Sequence, residues 1–160
     1  MKRLLLILLV PLFSTGCSTV ESSLNYTEGT KALEAGQYDA AIVHLEKAVA
    51  LDPALARNHN NLASAYFAKG RIREGWPHVR RAVILAPRDQ AAQGNFSRYF
   101  KTMIDKGLVK KGLSEAVITR NLGTPDGTLN RGKETLWQYG MIALYFEGGR
   151  MTGFNHMQIR

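Results

Sequence analysis

Gly36-Gln37-Tyr38-Asp39-Ala40-Ala41-Ile42-Val43-His44-Leu45-Glu46-Lys47-Ala48-Val49-Ala50-Leu51-Asp52-Pro53 returns 34 residues later as Gly70-Arg71-Ile72-Arg73-Glu74-Gly75-Trp76-Pro77-His78-Val79-Arg80-Arg81-Ala82-Val83-Ile84-Leu85-Ala86-Pro87. The glycines, histidines, Ala-Val pairs, leucines and prolines stay in phase, which unrelated segments seldom do. A period of this length marks an array in which each unit buries its apolar face against the next.

The period and the residues that carry it resemble the tetratricopeptide repeat. The resemblance implies two pairs of antiparallel helices, over residues 22–55 and 56–89. Small residues would let the helices approach closely: Gly29 and Ala63 on the first of each pair, and Ala41, Gly75, Ala48 and Ala82 on the second. Leu45, Leu62, Tyr66, Val79, Tyr38 and Ile72 would fill the core between them. Gly36 and Gly70 stand where a residue past the last helical turn often needs positive φ. Asp39 is expected to cap the second helix of its pair. Pro53 and Pro87 should stop the second helices, since proline has no amide hydrogen to give. Pro77 falls in or just past a first turn and should cost at most one backbone bond. Residues 90 to about 106 place Ala92, Phe96, Tyr99, Phe100 and Met103 at spacings of three and four, which predicts a capping helix ended by Gly107.

From Leu108 the pattern changes. A short helix is predicted from Ser114 as N-cap to Gly123, with Val117, Ile118 and Leu122 facing a core. Thr124-Pro125-Asp126-Gly127 reads as a turn, followed by strands over 135–139, 142–146 and 151–154, with Glu147-Gly148-Gly149-Arg150 as a hairpin turn. Alternation puts Ile142, Leu144 and Phe146 on one face. The fold class is therefore α+β, helical repeats followed by a helix-plus-antiparallel-sheet module. The stretches Lys111-Gly112-Leu113-Ser114-Glu115, Leu122-Gly123-Thr124-Pro125, Trp137-Gln138-Tyr139 and Leu144-Tyr145-Phe146-Glu147 resemble the SmpA/OmlA module over roughly residues 108–156. That family occurs in the small lipoprotein of the outer-membrane β-barrel assembly machinery and in other envelope lipoproteins.

The N-terminus carries Lys2 and Arg3, an apolar run over 4–13, the small trio Ser14-Thr15-Gly16, and Cys17, the one cysteine of the chain. The run has the length of a signal-peptide core and is short for a membrane span. The segment resembles the bacterial lipobox, with Ser14 where leucine is usual, and implies cleavage after residue 16 and a lipid on Cys17. Ser18, in place of the aspartate that retains such proteins in the inner membrane, implies the outer membrane. The expected organisation is a signal over 1–16, a tether over 17–21, a repeat domain over 22–106 and the module over 108–160. Extended, residues 18–21 would reach less than about 20 Å.

Cleavage would leave 144 residues and lower the net charge from +8 to +6 as Lys2 and Arg3 leave. With no second cysteine, stability must come from packed cores. An exported basic protein meets anionic headgroups, cell-wall polymer or acidic protein faces rather than nucleic acid. The charge is uneven: residues 22–55 carry two lysines against five acids, whereas residues 56–89 carry seven cations against two acids. Arg71, Arg73, Arg80 and Arg81 are thus a candidate docking edge.

In tetratricopeptide arrays the first helices line a concave groove that takes peptides. By position this selects Tyr26, Thr30, Arg57, Asn60, Asn61 and Ser64, with Phe67 in the core. Tyr26 stands where carboxylate-clamp members carry lysine, so recognition of a C-terminal carboxylate is not expected. His44, His59, His78 and His156 show no metal-ligand spacing on one helix. His44 and His78 share a phase and should be solvent-facing, roughly 8 to 10 Å apart. No catalytic residue, metal or cofactor is expected. These features point to a non-enzymatic lipoprotein that holds envelope proteins or peptides together, tied to the membrane through Cys17. The other readings are a cell-wall-associated accessory factor and a pilus or secretion pilotin.

Overall fold

The computed structural model describes residues 15–157, with side chains from Ser18 onward. The expected export signal thus lies almost wholly outside the described residues, and so does the side chain of Cys17. Five helices alternate in direction: α1 (Thr15–Glu34), α2 (Tyr38–Leu51), α3 (Ala56–Ala68), α4 (Ile72–Leu85) and α5 (Gln90–Asp105). Then come α6 (Glu115–Leu122) and four strands, β1 (Gly127–Arg131), β2 (Glu134–Tyr139), β3 (Ile142–Glu147) and β4 (Arg150–His156). The strands form one antiparallel sheet in sequence order.

The periodic residues act as punctuation. Gly36 and Gly70 both take φ 73° just past α1 and α3. The amides of Gly36 and Gln37 donate to Leu33 and Ala32, and one period later those of Gly70 and Arg71 donate to Phe67 and Tyr66. This double bond closes orphan carbonyls at a helix end and needs a left-handed residue, which glycine supplies without strain. The residues before Pro53 and Pro87, Asp52 and Ala86, leave the helical region at φ −142° and −133°, as a following proline requires.

Glycine also sets how closely the helices approach. A Cβ on Gly29 would meet Leu45 Cγ at 2.6 Å, and one on Gly75 would meet Phe67 Cδ2 at 2.7 Å. Ala41, Leu45, Ala48, Ala63, Val79 and Ala82 are fully buried, and Leu62, Tyr66 and Ile72 nearly so. Tyr38 departs from expectation, being only half-buried. Asp39 is not a cap either. Gln37 holds the N-cap of α2 without a side-chain bond, and Asp39 lies within the first turn, its carboxylate reaching Lys69 Nζ at 2.8 Å. Ser114 does occupy the N-cap of α6, but its hydroxyl makes no cap bond; its backbone bridges to Arg150 instead. Val117 is half-buried, whereas Ile118 and Leu122 are core. Pro77 sits within α4, which stays continuous.

The sheet contains one strand more than expected. β1 pairs with β2 from Gly127↔Gln138 to Arg131↔Glu134, yet its residues are mostly exposed, so no alternation marks it in the sequence. The β3–β4 turn has φ 56° at Gly148 and 73° at Gly149, the paired positive values of a tight hairpin. Ile142, Leu144 and Phe146 face inward on Ile118 and Leu122. One continuous core runs from Ile72, Trp76 and Val83 on α4, through Phe96, Phe100 and Met103 on α5, to Leu122, Tyr139 and Met151. The module therefore closes the end of the helical stack, and a second cluster around Ile42, Leu45, Leu62 and Tyr66 fills the other end.

Candidate functional site

The first helices of the repeats stand side by side, and α5 extends the row, so α1, α3 and α5 share one face. A groove of about 420 Å³ opens on it, lined by Leu33, Tyr38, Ser64, Phe67, Arg98 and Tyr99 among others. Polar side chains bridge the helices along this face. Asn61 Nδ2 donates to Thr30 Oγ1 at 2.9 Å, and Asn95 Nδ2 donates to Asn60 Oδ1 at 3.0 Å. The Tyr99 hydroxyl donates to Ser64 Oγ at 2.9 Å. Arg57 lies over the Tyr26 ring, 4.8 Å from its centroid, and Arg98 over Tyr99 at 4.9 Å. Phe67 stacks on Tyr99 at 3.8 Å, giving the groove an aromatic floor. Thus Tyr26, Thr30, Arg57, Asn60, Asn61 and Ser64 do share a surface.

Sequence reasoning missed the third wall. Asn95 and Arg98 lie one period beyond Asn61 and Ser64, and extending the phase into α5 would have found them. Among the described residues neither Arg57 nor Arg98 forms an ion pair. The face thus offers amides, hydroxyls and two guanidiniums, donors suited to backbone carbonyls and carboxylates.

The arginine edge of the second repeat is different from what the charge count implies. Arg80 turns into the C-terminal module, donating to the carbonyls of Leu122 and Thr124 at 3.0 Å each and pairing with Asp126. Its guanidinium lies 4.9 Å from the Tyr139 ring centroid. Arg73 donates to Asn121 Oδ1 at 3.4 Å. Arg71 pairs with Glu74 and covers the Tyr66 ring. Arg81 is exposed, beside a cleft with Ile84 and Gly123. The cause is module docking: carbonyls at the end of α6 face α4 and need donors.

Two histidines meet where none were expected to. His59 Nδ1 and His78 Nδ1 are 2.9 Å apart, and His59 Nε2 lies 3.1 Å from the Pro53 carbonyl. Since only an N–H can face that carbonyl, Nε2 carries the His59 proton and Nδ1 accepts from His78. Burial lowers both basicities; for His78, burial and then the neighbouring His59 bring the pKa to about 4. Tyr66 stacks on His78 and donates its hydroxyl to Glu46. Burial, then that carboxylate, push its pKa up to about 12. His78 is therefore not a solvent-facing residue, and His44 instead lies 3.4 Å from Asn25 Oδ1. Two imidazoles alone make a poor metal site, and no cluster of three or more His, Cys, Asp or Glu side chains occurs among the described residues.

A TPR repeat family model matches residues 31–70. Among solved structures, the Arabidopsis OM64 TPR domain aligns with a TM-score of 0.52 at 16% identity, over 56% of this chain and 74% of that one. The likeness is one of fold. No curated protein matches.

Proposed function

We propose that this chain is a non-enzymatic lipoprotein of the outer membrane, facing the periplasm, whose concave face takes an extended, acidic segment of another envelope protein. The observation that carries the reading is the groove along α1, α3 and α5 with Arg98 in its wall, and Arg57 further along the same face over Tyr26, neither arginine having a carboxylate partner among the described residues. A tetratricopeptide fold supports protein binding, and the SmpA/OmlA resemblance of residues 108–156 supports a place in envelope assembly. Polymer binding by the second repeat is less favoured, because Arg71, Arg73 and Arg80 bond within the molecule.

Photo-crosslinking residues placed at Asn61 and Arg98 should capture one partner in intact cells, whereas the same group at Lys47 on α2 should not. Arg57→Glu with Arg98→Glu should remove the adduct. Equal capture from Lys47, or capture that survives both reversals, overturns the concave site. Membrane fractionation of Cys17→Ser separately tests the lipid anchor.

A further inference from the structure

The 34-residue period maps α3, Ala56–Ala68, back onto residues 22–34. Yet α1 begins at Thr15. Residues 15–21 thus continue the first helix of repeat one with no counterpart in repeat two, and the part that cleavage after residue 16 would leave, 17–21, makes about one and a half turns. The tether over 17–21 is part of this helix, and at a rise of about 1.5 Å per residue it separates Cys17 from the repeat by only about 7.5 Å. A helix also transmits orientation, which an extended linker does not.

This extension exposes apolar side chains. Val20 is 71% exposed and Leu24 61%. By helical spacing, Cys17, Val20 and Leu24 share one stripe. One turn on, the stripe becomes polar, with Glu28 and Lys31 paired to each other at 2.9 Å. The opposite side of α1 is already occupied, since Ser22, Gly29 and Ala32 are buried against the stack. Packing within the chain therefore accounts for the side that carries Ser22, Gly29 and Ala32, and leaves the side that carries Val20 and Leu24 uncovered.

We infer that the first turns of α1 form a lipid-facing foot, in which Val20 and Leu24 enter the headgroup and acyl boundary beside the acylated Cys17. This rests on the lipoprotein reading. The occupant is a lipid surface because the stripe begins at the residue that would carry the acyl chains, so no other surface lies closer. A single lipid attachment leaves a protein free to rotate, whereas two apolar side chains on a rigid helix fix one face toward the bilayer. Glu21, which flanks the stripe, would remain at headgroup depth, and the Glu28–Lys31 pair marks the water boundary.

The acylated chain, purified from outer-membrane fractions and reconstituted into phosphatidylethanolamine vesicles, provides the test. With Cys17 blocked by lipid, a cysteine introduced by Val20→Cys, Leu24→Cys, Thr27→Cys or Lys31→Cys is the one free thiol, and it takes an environment-sensitive fluorophore. Labels at 20 and 24 should be blue-shifted and several-fold less accessible to an aqueous quencher than labels at 27 and 31, even below one chain per vesicle. Equal quenching at all four sites overturns the foot. Protection that disappears on dilution identifies a second copy as the occupant and overturns it too. Two labelled thiols per chain would mean that Cys17 is not acylated, so failure of the anchor is read separately from failure of the foot.

Discussion

The two repeats place the same positions in the same geometry but fill them with different chemistry. Asn25 and His44 in the first repeat correspond to His59 and His78 in the second, each one period on, and each pair bridges the two helices of its unit. Glu46 and Arg80 correspond likewise, and each reaches forward, Glu46 to Tyr66 of the next repeat and Arg80 to Tyr139 of the module. Even the close-approach glycine has changed sides: Gly29 and Ala41 become Ala63 and Gly75. The backbone frame depends on where small, bridging and forward-reaching residues stand, whereas response to pH and to the next unit depends on which residues stand there.

The Arg80 contact should be the most costly to break. Arg80→Ala leaves two carbonyls without their donor and Asp126 without its cation at a seam where Arg80 itself is 11% exposed. Removing one partner of such a pair should cost about 3 kcal/mol, read as a fall in the denaturation midpoint with loosening of the sheet in hydrogen exchange. Glu46→Gln, its counterpart, should cost about 1 kcal/mol or less, because the Tyr66 hydroxyl keeps an acceptor. Equal losses would show that the forward contacts are equivalent after all.

Gly29→Ala and Gly75→Ala test the exchanged glycine. Each new methyl would overlap a side chain below 3 Å, and overpacking of this kind costs about 1 to 3 kcal/mol. Gly94→Ala on α5 meets open space and should instead stabilise by a few tenths of a kcal/mol up to about 1. Thermal melts of the three variants suffice, and a neutral Gly29→Ala would mean that Leu45 yields.

The histidine pair makes the second repeat the acid-sensitive one. The native pKa of His78, about 4, lies below the free value of 6.5, so at intermediate pH the unfolded chain binds more protons than the folded one. Stability then rises with pH across that window and is lost as pH falls from 6.5 toward 4. Protonation of His59, whose Nδ1 accepts from His78, would in turn set two N–H groups against each other at a 2.9 Å contact. After discounting for the solvent that reaches His78, the loss should be on the order of 2 kcal/mol. His59→Asn copies the amide–imidazole pair of the first repeat and should flatten the slope between pH 6.5 and 4. An unchanged slope would assign the acid sensitivity elsewhere.

Legibility in the sequence followed the range of the forces involved. Gly36, Gly70, Pro53 and Pro87 act on their own turns, so their roles could be read directly, and the phase of the repeat carried the reading to Ala41, Ala63 and Ala82. The concave residues followed the same phase, which failed at α5 only because the helix was read as a cap. β1 was invisible because Gly127-Thr128-Leu129-Asn130-Arg131 is exposed and takes its strand conformation from β2. Arg80 could not be read at all, since its partners lie more than 40 residues away in another unit. Neighbouring arginines in a sequence signal shared surface only when nothing else packs on them.

The smallest effect belongs to Asp39, whose place in repeat two is taken by Arg73. Sequence reasoning makes Asp39 a helix cap, a role that would cost about 1 kcal/mol on removal and would persist in salt. The structure puts it in the first turn of α2, 78% exposed at the side chain, with Lys69 as partner. An exposed pair is worth about 0.2 to 1 kcal/mol and is screened by salt, as is the interaction of the carboxylate with the helix dipole. Asp39→Ala should therefore lose at most that amount at low salt and almost nothing in molar salt. A cycle with Lys69→Ala should recover part of the loss as coupling. A salt-independent loss with no coupling to Lys69 would restore the cap, and the second repeat, with arginine at that position, would then begin α4 by a different rule from the one that begins α2.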